Sequence, residues 1–73
     1  MDKKTKKILE MAALPQGITT LENETVGMGV GEFIGLLYKL YADGYLIAVT
    51  EMYCTRFHIL LRGTYALEAE ENE

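Results

Sequence analysis

The densest apolar stripe in the chain runs from Val30 to Asp43, with apolar residues at positions 30, 33, 34, 37, 40 and 41. At about 100° per residue these positions share one broad face, which predicts a helix packed on a core along that face. Gly44 follows directly and suits a left-handed cap. Upstream, Lys3 to Leu14 sets Ile8 with Ala12 and Leu9 with Ala13 at i,i+4 spacing. That spacing predicts a first helix, stopped by Pro15 and Gly17. Between the two, Thr19 followed three residues later by Glu22 has the form of a capping box, with Ile18 placed as its hydrophobic staple. A short helix is therefore expected to run from this box to about Val26 and to end at Gly27.

After Gly44 the period changes. Tyr45, Ile47 and Val49 alternate with Leu46, Ala48 and Thr50, and Phe57, Ile59 and Leu61 alternate likewise. Two strands in a hairpin follow from this period of two, with the turn near Met52 to Thr55. The turn holds neither Gly nor Asn, so the sequence leaves its register open. From Gly63 onward the chain reads as a terminal helix with an acidic end from about residue 69. No internal repeat or long linker interrupts the pattern. The expected class is α+β in a single domain: three helices, a hairpin and a short last helix. A chain of 73 residues buries only about 60% of its unfolded surface, so its stability is marginal without a staple or a partner.

The run V-G-M-G-V-G-E-F-I-G, from Val26 to Gly35, invites comparison with a phosphate-cradling loop. A dinucleotide fingerprint needs glycine at n, n+2 and n+5 between a strand and a helix. Starting at Gly27 the third position is Glu32, and starting at Gly29 it is Ile34, so both registers fail. No Gly-Lys-Ser/Thr occurs anywhere, which removes the Walker loop as well. These glycines are read as turn residues, and no nucleotide or other cofactor is expected.

The remaining candidate chemistry is thin. Cys54 and His58 are the soft metal ligands, and four residues along a strand separate them by roughly 13 Å, too far to share one ion. No Ser/His/Asp set, no cysteine with an assignable base and no carboxylate pair can be argued, so neither a catalytic nor a metal site is expected. A lone cysteine cannot form an internal disulfide and suits a reducing cytoplasm. The lysine-rich start resembles that of a signal peptide, but Glu10 interrupts the short apolar run behind it, and the segment reads as a helix. No run approaches the roughly 20 apolar residues of a membrane span. The net charge of −4 argues against a general affinity for polyanions.

Helix, glycine turn, longer helix ending in L-x-x-L-x-x-x-G-Y-L (Leu37 to Leu46), then a hairpin: this order resembles a winged helix-turn-helix. The stretch Ile59-Leu60-Leu61-Arg62-Gly63-Thr64-Tyr65-Ala66-Leu67-Glu68 is similar to the I-x-L-x-G-x-x-x-L-E that follows the wing in the small YjcQ-like proteins of Gram-positive bacteria and their phages. The resemblance implies that Val30–Asp43 is a recognition helix whose outer face would meet a major groove. Projection places Gly31, Glu32, Gly35, Leu36, Tyr38, Lys39, Ala42 and Asp43 on that outer face, two acids against one lysine. A DNA reader usually offers Arg, Lys, Asn or Gln there.

The expected partner is therefore a protein, with Gly31, Glu32, Gly35, Leu36, Tyr38 and Lys39 on the helix and Met52 and Tyr53 at the wing tip forming the contact. Gly31 and Gly35 each cost a helix about 1 kcal/mol against alanine, which close approach of another backbone would explain. That backbone belongs either to the first helix or to a partner. The alternative is a homodimeric DNA-binding regulator that relies on Lys3, Lys4, Lys7, Lys39 and Arg56. A homodimer through the exposed apolar residues is compatible with both.

Overall fold

The computed structural model describes residues 1–71. Their elements are α1 (Lys3–Ala12), β1 (Ile18–Thr19), α2 (Asn23–Val26), α3 (Val30–Ala42), β2 (Leu46–Thr50), β3 (Thr55–Ile59) and α4 (Leu61–Glu71). The class is α+β, with four helices and a three-stranded antiparallel sheet of order β1-β3-β2 among the described residues. The last two residues of the acidic end, 72–73, lie outside the described residues. No described helix is long and apolar enough to cross a membrane.

α1 begins because the Asp2 carboxylate caps it, accepting from the Thr5 N–H at 2.7 Å. This bond also holds the Asp2 carboxyl below its ordinary pKa. Ile8, Leu9 and Ala12 are buried, as the i,i+4 pattern requires. The helix ends two residues before the predicted Leu14, since a residue preceding proline is driven out of the helical region. Leu14 to Gly17 then form a turn, with the Gly17 N–H donating to Leu14 O at 2.9 Å.

The predicted capping box is half present and does other work. Glu22 does reach back, accepting from the Thr19 N–H at 2.9 Å. The Thr19 hydroxyl, however, accepts from Leu21 N–H, so the group closes a turn and starts no helix. Ile18 and Thr19 form β1 instead, opposite Phe57 and Arg56 of β3. Ile18 is thus a buried strand residue and not a staple. α2 starts at Asn23, three residues later than a helix capped by Thr19 would, and Gly27 ends it as expected, with φ +76.

α3 buries Phe33, Leu37 and Leu40, the centre of the predicted stripe. Its margins, Val30 and Tyr41, remain exposed. Gly44 N–H donates to Tyr41 O and Tyr45 N–H to Leu40 O, the paired bonds of a Schellman close. In the hairpin Glu51 N–H donates to Cys54 O at 2.8 Å, so the loop sits one residue earlier than predicted and Thr55 belongs to β3. Leu46 and Ala48 turn toward the core, while Ile47 and Val49 face outward.

Leu61 does not continue β3 inward as its alternation suggested. It opens α4 and stands 71% exposed. α4 packs on α1, and Gly63 permits this path. A Cβ there would lie 2.7 Å from both Ile59 Cγ1 and the Tyr45 carbonyl oxygen. One core results, joining Ile8 and Leu9 of α1, Ile18 of β1, Phe33 and Leu37 of α3, Leu46 and Phe57 of the hairpin, and Leu67 of α4.

Candidate interaction surface

The outer face of α3 is open. A Cβ built on Gly31 or Gly35 meets no atom within 4 Å, so α1 does not cover these glycines. Glu32, Lys39, Ala42 and Asp43 are exposed beside them. Leu36 departs from the projection: it is half-buried and packs against the core. The wide apolar stripe of α3 draws it in, since a residue at the margin of the stripe buries its side chain wherever neighbouring elements approach.

Tyr38 is split between core and solvent. Its ring meets Phe57 edge to face with centroids 5.4 Å apart, and Tyr41 at 6.3 Å, yet it is 44% exposed. An aromatic fixed on one side by such packing loses little freedom when its other side is covered. At the hairpin tip Met52 and Tyr53 are each 85% exposed, as expected of the loop.

Two of the cations, Lys4 and Arg56, form ion pairs among the described residues. Lys4 Nζ lies 3.4 Å from Glu32 Oε1, which brings the lysine-rich start of α1 beside the first turn of α3. Lys3 and Lys7 are exposed. Arg56 is the most constrained cation: its Nε donates to Glu51 Oε2 at 2.6 Å, Nη2 to Glu51 Oε1 at 3.1 Å, and Nη1 to the Gln16 carbonyl at 2.7 Å. This fork ties the hairpin to the turn after α1. Sequence alone gave no sign of it, because Gln16 contributes only a backbone oxygen.

The Arg56 guanidinium holds the Glu51 carboxyl below the 4.5 of an ordinary glutamate. A depressed carboxyl contributes stability above its unfolded pKa and loses it as pH falls through the folded value. Glu51 should therefore titrate below 4.5, and the Arg56 Nε–H resonance should move with the same midpoint. Glu51→Gln should remove that transition from the Arg56 signal. An ordinary Glu51 midpoint measured by carboxyl NMR would contradict the ion pair.

Cys54 and His58 are not brought into a ligand set. No group of three or more His, Cys, Asp or Glu that could hold a metal is found among the described residues. Cys54 Sγ instead contacts Glu51 Oε1 at 3.6 Å, and desolvation followed by that carboxylate pushes its thiol pKa up. A raised thiol pKa leaves little thiolate at neutral pH. Other exposed apolar residues were not singled out from sequence: Leu21, Ile47, Val49, Leu61 and Tyr65. Leu61 and Tyr65 stand four apart on α4, a spacing that could have marked a shared outer face. No protein-family model matches the chain, and no curated protein and no solved structure matches it either.

Proposed function

We propose that this chain is a small acidic winged-helix module that acts by binding another protein, without catalysis. In this reading α2 and α3 form the helix-turn-helix, β2 and β3 the wing, and the site of action is cytoplasmic. Its role is that of a phage- or mobile-element-type regulator or inhibitor of a host protein. The contact is the open face of α3, with Gly31, Glu32, Gly35, Tyr38 and Lys39, extended by Met52 and Tyr53 of the wing.

The observation that carries this reading is the state of the cations. DNA binding takes much of its affinity from Lys and Arg that neutralise phosphates. Here Arg56 is held by Glu51 and Gln16, Lys4 lies on Glu32, and Lys39 is the one base on the outer face of α3. The open glycines and the half-exposed Tyr38 suit a partner's backbone and an aromatic anchor.

Two measurements test it. At roughly 150 mM salt, random duplex DNA should give only weak, non-specific binding. A salt-sensitive nanomolar complex lost in Lys39→Ala would make the chain a homodimeric DNA-binding regulator instead. Arg56→Ala is unsuitable for that test, since it also cuts the ties to Glu51 and Gln16. On the protein side, Gly35→Ala adds a methyl into open space and should raise helix stability by up to about 1 kcal/mol. The same methyl should weaken the complex with a partner recovered from the native host, and Tyr38→Ala should weaken it too. A sharp fall in melting temperature for Gly35→Ala would remove α3 as the binding face.

A further inference from the structure

β2 is an edge of the sheet. Its hydrogen-bonding phase follows from two bonds that flank the ladder, Leu60 N–H to Tyr45 O at 2.9 Å and Glu51 N–H to Cys54 O at 2.8 Å. Ile47 stands opposite His58 and Val49 opposite Arg56. The alternation of an antiparallel ladder therefore turns the backbone of Tyr45, Ile47, Val49 and Glu51 toward β3. The N–H and C=O groups of Leu46, Ala48 and Thr50 point the other way, along the free edge. Leu46 is covered, at 1% exposure, whereas Ala48 is half-buried and Thr50 exposed. The accessible edge is that of Ala48 and Thr50. Val49 stands between them, its side chain outward and 46% exposed.

Edge strands are ordinarily guarded by charge, proline, a bulge or a covering element. Leu46–Thr50 carries no charge and no proline, and its register with β3 runs without a bulge. We infer that this edge pairs with the same edge of a second copy, antiparallel about a two-fold axis at Val49. That axis matches the open groups to each other. Ala48 exchanges bonds with the partner's Thr50, Thr50 with the partner's Ala48, and Val49 faces the partner's Val49 as a close, non-hydrogen-bonded pair. An axis at Ala48 would instead require the covered backbone of Leu46.

Charge and the hairpin tip fit the same register. Two copies of net charge −4 repel over much of their surface, but β2 is uncharged and the adjoining Glu51 is neutralised by Arg56 of its own chain. Beyond Thr50, the register lays Met52 and Tyr53 beside the partner's Leu46 and the partner's Tyr45. Arg62 lies 5.3 Å from the Tyr45 ring, so a cation waits at the end where Glu51 and Tyr53 arrive. The interface is small, and the dimer is a reversible, micromolar one. It shares Met52 and Tyr53 with the proposed partner contact but not the α3 face, so substitutions at Ala48 and Val49 test the dimer and leave Gly31, Gly35 and Tyr38 of α3 unchanged.

Val49→Cys in a Cys54→Ser background tests the axis. Facing non-hydrogen-bonded residues lie about 4.5 Å apart at Cα, within disulfide reach. Mild oxidation should give a covalent dimer of this variant. Ile47→Cys in the same background should stay monomeric, because Ile47 falls opposite the partner's Glu51. In the native chain, amide exchange at Ala48 and Thr50 should slow as concentration rises, while Ile47 and Val49 are protected throughout. Ala48→Pro removes a donor that the fold itself does not use and should weaken dimerisation by about tenfold or more. A clean monomer at millimolar concentration in sedimentation would overturn the inference. So would a dimer with rapidly exchanging Ala48 and Thr50 amides, or equal crosslinking by Ile47→Cys.

Discussion

Gly17→Ala should remove more than half of this protein's stability, a loss on the order of 3 kcal/mol. Gly17 has φ +68, a conformation that costs an L-residue about 1–2 kcal/mol. It also lies against β3: a Cβ would stand 2.5 Å from the Phe57 carbonyl oxygen and 2.9 Å from His58 Nδ1. The carbonyl belongs to the central strand and cannot swing aside, so overpacking adds a further 1–3 kcal/mol or so. A domain of this size holds about 5 kcal/mol in total. The melting temperature should fall by roughly 15 °C, read by circular dichroism against Gly35→Ala, which should not fall at all. A Gly17→Ala protein that melts with the native one would mean that the turn after α1 does not seat on β3.

Phe57→Ala should be comparably severe, at about 3–5 kcal/mol. Phe57 is fully buried, lies opposite Ile18 of β1 and Ala48 of β2, and forms a T-shaped pair with the Tyr38 ring. Truncation therefore opens a cavity where all three strands and α3 meet. Those elements cannot collapse into it without giving up the β-ladder. Urea unfolding should show the midpoint lowered by most of its native value, with Phe57→Leu far milder. The variant should also release Tyr38, so on the proposed reading the fraction that stays folded should bind its partner more weakly. A shift under about 1 kcal/mol would show that the cavity relaxes, and would move the centre of the core elsewhere.

The elements that sequence reading placed well are those whose signal lies within one or two turns of chain. α3 and its Schellman close at Gly44 are local, because a 3.6-residue stripe and a glycine behind it need no distant partner. The same holds for the first helix and for the hairpin period. The exposure of Gly31, Gly35, Tyr38, Lys39, Met52 and Tyr53 on the candidate surface was legible, since it follows from projection and loop position. The half-burial of Leu36 was not, since projection assigns an angle and cannot say how far a neighbouring element reaches around the helix.

By itself, then, the sequence determined the course of α1 and α3, the glycine ends at Gly27 and Gly44, the two-residue alternation of the hairpin and an acidic, lysine-poor outer face on α3. Those properties depend on residues a few positions apart. Only the tertiary structure decided the rest. β1 is two residues long and has no period to read; Ile18 and Thr19 become a strand because β3 offers them an edge. Both alternating sets of β2 are apolar, so the choice to bury Leu46 and Ala48 and expose Ile47 and Val49 belongs to the packing of α3 and the sheet. Arg56 reads as a free cation until the fold brings the Gln16 carbonyl to it from 40 residues away. Long-range contacts of this kind are chosen by which surfaces meet, and pattern along a chain carries no record of that meeting.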